Sequence, residues 1–245
     1  MVSSDRSNID PARDNYGKLP LHFEANAGQA DSRIKFLSHG RGYDLFLTST
    51  EALLSLTKQL KSPTTRDDVS NSIHPCDRKG PSSASRVVKM KVVGADRKAQ
   101  ASGEEKLPGK SNYLIGDDPS RWRTDIPAFA RVNYTGIYRG IDLIYHGDQG
   151  HLEYDFVVAP KANPHRIKLA FAGSDRLELD VSGNLIIHVE SEELQQPKPT
   201  AYQEVDGLRK EVAVQFVLHG RSGTSSFTEG VKSASGLAPM TPEFL

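Results

Sequence analysis

The chain has 245 residues, enough for one large or two small domains with a sizeable core, although 37% hydrophobic residues is low for a protein folded along its whole length. Lys+Arg and Asp+Glu are both 31, so the net charge is zero; this argues against a nucleic-acid partner and against steering toward an anionic membrane surface. The single cysteine, Cys76, excludes a disulfide framework and a cysteine-based zinc site within one chain, and no apolar run approaches a membrane span.

Residues 1–15 are polar, contain no secretory hydrophobic stretch and read as a flexible N-terminus. RIKFLS (Arg33 to Ser38) and YDLFLT (Tyr43 to Thr48) flank the glycine-bearing turn HGRG and predict a hairpin; EALLSLT (Glu51 to Thr57) predicts a third strand. Residues 58–85, rich in Ser, Pro and charge and without periodicity, predict a mobile loop inserted between strands. RVVKMKVVG (Arg86 to Gly94) puts Val88, Met90 and Val92 on one face. Leu107 to Pro127 is turn-rich and reads as irregular. In AFARVNY the core side is Ala128, Ala130, Val132 and Tyr134.

Further on, RIKLAFAG aligns Ile167, Leu169 and Phe171. Two short strands flank the turn Val181-Ser182-Gly183-Asn184, and Asp206-Gly207 marks a hairpin between TAYQEV and LRKEVAVQFVL. The ANPHR segment, Ala162 to Arg166, is the one helical candidate of note. Residues 220–245 are Ser/Gly/Thr/Pro-rich and predict a disordered tail. Alternation by two thus dominates. It predicts an all-β fold, a large antiparallel β-sandwich or two packed sandwiches over residues 16–219.

The densest cluster of chemistry-bearing residues is GIDLIYHGDQGHLEYDFVV, with Asp142, His146, Asp148, His151, Glu153 and Asp155. A loop of Gly147 to Gly150 would pair His146 with His151, Tyr145 with Leu152, Leu143 with Tyr154 and Ile141 with Phe156. One face is then wholly apolar, and the His/acid face is the solvated side of a hairpin. This register also sets Asp142 against Asp155, a like-charge pair that needs a neutralising arginine, a shared proton or a cation. Asp142, Asp155, His146, His151 and Glu153 are therefore the candidate metal-binding residues. Calcium wants more oxygen ligands than two aspartates, whereas zinc suits the two histidines with one carboxylate. Asp142, Glu153 or Asp155 would serve a hydrolase.

No GxSxG, P-loop, HExxH or GxGxxG is present, and no catalytic residue or cofactor site is assigned. Trp122 and Tyr113 are the candidate ligand-binding residues, as part of an aromatic platform for sugars; Arg121 and Arg123 beside Trp122 favour its surface placement.

Three stretches, Tyr16 to Leu56, Leu107 to Phe171 and Pro197 to Leu218, resemble a bacterial β-rich domain of unknown function that precedes SBBP-type (seven-bladed beta-propeller) repeats. Its marks here are Phe23, Glu24, Asn26, Gly28 and Gln29 in FEANAGQ, and Gly140, Asp142, Tyr145 and Gly147 in GIDLIYHG, followed by Tyr154 and Phe156. The resemblance implies that these residues hold turns and core. It also implies a non-catalytic accessory or interaction module of an exported or cell-surface protein. Its partner would be a downstream β-propeller region lying outside this chain. A carbohydrate-binding module is the alternative, and a hydrolase using the acidic hairpin a further one. The family-like sequence is expected to stop after His219, and the start carries no export signal, so cytoplasmic retention of this product is the alternative to an extracellular location.

Overall fold

Strands form where apolar residues recur every second position, because successive side chains then fall on opposite faces and one face can be buried. The computed structural model describes residues 21–40, 43–56, 86–148, 151–190, 192–205, 207–219, 224–229 and 240–241. The first half of the chain supplies β1 (Phe23–Ala25), β2 (Phe36–His39), β3 (Tyr43–Leu47), β4 (Glu51–Leu56), β5 (Arg86–Val92), β6 (Gln100–Tyr113) and β7 (Arg123–Tyr138). Next come β8 (Ile141–Asp148), β9 (His151–Val158), β10 (Lys168–Ala172), β11 (Arg176–Leu179), β12 (Leu185–Val189) and β13 (Glu192–Gln196). The last are β14 (Thr200–Val205), β15 (Leu208–Val212), β16 (Val214–His219), β17 (Thr224–Glu229) and β18 (Met240–Thr241). The described residues contain no α-helix. Two 3-10 turns, Pro119–Arg121 and Pro164–Arg166, are capped by the Asp118 and Asn163 side chains; the second is all that forms of the ANPHR helix candidate. No helix among the described residues is long and apolar enough to cross a membrane.

The protein is all-β and antiparallel. A 12-stranded sheet runs β16-β17-β10-β5-β4-β3-β2-β1-β7-β8-β9, with β6 on the remaining edge of β7. Two three-stranded sheets, β11-β12-β13 and β15-β14-β18, accompany it. The layers of the expected sandwich are largely two halves of this one sheet, which curls back on itself. Leu152 of β9 meets Leu45, Leu54, Val88, Met90 and Phe171 across the core. Tyr134, Leu143 and Tyr145 meet Val92 and the turn between β3 and β4. Phe23, Leu45, Leu47, Ile141, Tyr154, Phe156, Ile167 and Leu169 are fully buried there. Each such side chain contributes about 1.5–3 kcal/mol.

The β2–β3 hairpin, the β4 strand, the core face of β5 and β10, and the turns before β12 and β15 all follow the sequence expectation. Three elements do not. Leu107 to Pro127 is not irregular throughout, since most of it belongs to β6 and β7. β6 escapes recognition because it is a polar, largely exposed strand containing Pro108 and Gly109. It tolerates both because the ladder to β7 shifts register between Lys106 and Lys110.

Second, LRKEVAVQFVL is not one strand. It breaks after Val212, and β15 and β16 enter different sheets. Third, β17 and β18 lie inside the expected tail. Residues 220–223, 230–239 and 242–245 fall outside the described residues, as do the expected flexible N-terminus and the 58–85 loop with Cys76.

Candidate functional site

The acidic hairpin is built from β8 and β9, and its faces are as the alternation predicts. Ile141, Leu143, Tyr145, Leu152, Tyr154 and Phe156 are buried together in the core. The pairing along the strands differs from expectation by two residues. Tyr145 faces Tyr154, Leu143 faces Phe156, and Asp148 faces His151 across residues 149–150. A shift of two keeps every side chain on its face, so alternation alone cannot distinguish the two registers. The cross-strand aromatic pair does favour the observed one: Tyr145 sits 6.2 Å from Tyr154.

This register removes the proposed like-charge pair. Asp142 stands opposite Val157, and its Oδ1 accepts the Gly136 amide at 2.6 Å. Asp155 stands opposite Ile144 and lies diagonal to His146. Nε2 of His146 is 3.0 Å from Oδ2 of Asp155, while Nδ1 is 3.5 Å from Oε2 of Glu153. The face is also less wet than expected: Glu153 is buried, and His146 and Asp155 are half-buried. Of the five metal candidates, the structure groups His146, Glu153 and Asp155; Asp142 and His151 lie elsewhere along the ladder. The two nitrogens of His146 lie against different carboxylates. Among the described residues, no three His, Cys, Asp or Glu side chains are arranged to hold a metal.

A second cluster was not foreseen. Glu24 of β1 pairs with Leu37 of β2 and Ala128 of β7, and it is only 3% exposed. A buried carboxylate persists only if donors replace its water. Ser111 of β6 donates to its Oε1, Tyr113 donates to its Oε2 at 2.6 Å, and Nε2 of His22 lies 3.5 Å from Oε1. Burial alone would raise the carboxyl, but these three partners and the nearby His39 outweigh it and hold Glu24 at about 2. The same contact raises His22 above its ordinary value. Burial, and then the bond to Glu24, pushes the Tyr113 hydroxyl well above the usual tyrosine range.

The cluster continues outward. Nε2 of His39, at the end of β2, is 3.0 Å from the Tyr113 hydroxyl; its Nδ1 is 2.7 Å from Oδ1 of Asp44 on β3. A chain of contacts thus runs Asp44–His39–Tyr113–Glu24 across four strands. Only one signal in the sequence pointed to it: a glutamate between apolar residues in FEANAGQ, where a short strand would bury it.

The other residues of that segment shape the turn leading out of β1. Asn26 donates to the Asp31 and Ile34 carbonyls and accepts from the Gly28 and Ala30 amides; Gln29 donates back to the Ala25 carbonyl. Gly28 holds φ +104°, and Arg123 lies against the space where its side chain would be.

Tyr113 and Trp122 both lie at one end of the β6–β7 pair. Tyr113 is paired with Arg123, the residue after Trp122. The indole donates to the Gly116 carbonyl at 3.0 Å, and the Arg123 guanidinium caps the Ser120 and Trp122 carbonyls. Around them the turn leaves Leu114 at 59%, Ile115 at 64% and Trp122 at 36% exposure, with Asp117 and Arg121 exposed alongside. Tyr134 and Tyr138 are core residues and add nothing to a sugar platform.

The profile of a family described as a domain of unknown function, DUF7948, matches residues 23–235. The match continues past His219, where the family-like sequence was expected to stop, and takes in β17. No curated protein and no solved structure matches the chain.

Proposed function

This chain belongs to the DUF7948 family, and we propose that it is a non-catalytic interaction module of a bacterial surface or exported repeat protein. The observation that carries this reading is the turn of Leu114, Ile115 and Trp122, all three exposed to solvent, with the indole hydrogen-bonded to the Gly116 carbonyl. Three large apolar side chains exposed on one turn suit a partner surface better than they suit water. The partner proposed is a propeller repeat region of the SBBP type, by the resemblance of the sequence. The buried acid supports a non-catalytic role. Glu24, held at about 2 and occupied by three partners, does not exchange protons near neutral pH.

The test is dye binding with light scattering. The isolated protein is expected to bind an apolar-surface dye and to associate. Combined Leu114→Ser, Ile115→Ser and Trp122→Ala changes are expected to abolish both. A monodisperse wild-type monomer without dye signal would count against the reading.

One observation favours a second reading, a carbohydrate-binding module. Trp122 and Tyr113 share one end of β6–β7 with an exposed donor, Arg121, and an exposed acceptor, Asp117, which together complement sugar hydroxyls. On a polysaccharide panel, retention lost in Trp122→Ala supports it. Retention of no glycan, or retention untouched by the change, removes it.

A further inference from the structure

We propose that His39 is a proton-operated latch: its imidazolium form closes the bridge Asp44–His39–Tyr113–Glu24, and loss of the Nε2 proton opens the bridge and loosens the turn at 114–122. The inference comes from counting donors. Asp44 is a carboxylate and can only accept, so the 2.7 Å contact requires a proton on Nδ1 of His39. Glu24 is likewise an acceptor, and the 2.6 Å contact to its Oε2 takes the single hydroxyl proton of Tyr113. The Tyr113 oxygen, 3.0 Å from Nε2, has then only lone pairs to offer, so Nε2 must donate. In the closed bridge both ring nitrogens donate, Nδ1 to the Asp44 carboxylate and Nε2 to the phenolic oxygen that is itself bonded to Glu24.

Removing the Nε2 proton leaves one hydrogen for two contacts. If the hydroxyl stays on Glu24, a bare nitrogen faces the phenolic oxygen. If it turns to Nε2, two oxygens remain at 2.6 Å with nothing between them. Either way one link between β6 and its neighbours is lost. The proton has a route, because the His39 side chain is 47% exposed. Among the described residues, the titratable groups facing the ring are Asp44 from β3 and Tyr113 from β6. Glu24 acts on it from β1, with His22 beside that carboxylate. The turn answers to the latch because Leu114 and Ile115 follow Tyr113 directly and Trp122 adjoins its partner Arg123. The latch is independent of what docks on that turn.

Trp122 is the only tryptophan, so intrinsic fluorescence reads this corner alone. Raising the pH from about 5.5 to about 8.5 brackets an imidazole titration. The emission maximum is expected to shift to the red over that range. The shift should vanish in His39→Gln, whose amide nitrogen donates at every pH, and in Tyr113→Phe, and persist in His22→Gln. No shift in the wild type, persistence in His39→Gln or Tyr113→Phe, or loss in His22→Gln would each overturn the latch. Should a variant fold poorly, the wild type alone decides. Nuclear Overhauser contacts between the His39 and Tyr113 rings should weaken at the higher pH, and their constancy would overturn the proposal.

Discussion

Among the regions that set histidine beside carboxylate, the β8–β9 hairpin and the β1–β6 corner are built in opposite ways. In the β8–β9 hairpin the partners are neighbours in sequence: His146 and Asp155 are 9 residues apart. At the β1–β6 corner the histidines are also local, His22 close before Glu24 in the chain and His39 5 residues from Asp44, but the hydroxyl donors are remote: Glu24 lies 87 residues from Ser111 and 89 from Tyr113. The hairpin cluster follows from alternation, which puts every second residue on one face whether or not a site is needed. The corner exists only because β1 and β6 both border β7. It holds the more deeply buried acid, Glu24, and draws its hydroxyl donors from a remote strand. A crowded sequence motif is therefore a poor guide to where this fold concentrates its electrostatics.

The sharpest way to break that contrast is to neutralise each acid in turn. Glu24→Gln is expected to cost about 2–4 kcal/mol in denaturant unfolding, because an amide nitrogen then faces groups that all donate. Acid provides the same comparison without mutation. Glu24 is held at about 2 against an ordinary 4.5. A depressed carboxyl stabilises the fold above its unfolded value and loses that contribution as the pH falls through its folded value. The wild type should lose about 2–3 kcal/mol between pH 4.5 and pH 2 that Glu24→Gln does not lose. His22 has the opposite sign: its pairing with Glu24 stabilises below the ordinary histidine value and fades as the pH rises through its raised one.

Seating β6 on β7 is the next requirement. The Phe129 ring fills the space beside Gly103, so Gly103→Ala is expected to cost about 1–3 kcal/mol through overpacking, read as a lowered midpoint with an unchanged denaturant slope. Asp155→Asn should cost only about 1 kcal/mol, since the hairpin pair is half-buried and the amide still bonds to His146. A cost equal to that of Glu24→Gln would remove the distinction between the two regions. Trp122→Ala should change stability least, by about 0.5 kcal/mol, while affecting any docking on the turn most.

The sequence by itself determined the fold class, the faces of nearly every core strand, the turn at Ser182-Gly183 and the β14–β15 hairpin. These depend on the period-two pattern and on local backbone preference. Local rules also placed Tyr145, Tyr154 and Phe156 in the core. Only the tertiary structure decided the rest. The β8–β9 register required aromatic packing, because a two-residue slip leaves the pattern unchanged. β6 is polar and mostly exposed, and it becomes a strand by its ladder to β7 rather than by its composition. The Glu24 corner required four strands to meet. A buried charge is stable only where remote donors converge, and no rule of spacing along the chain records that convergence.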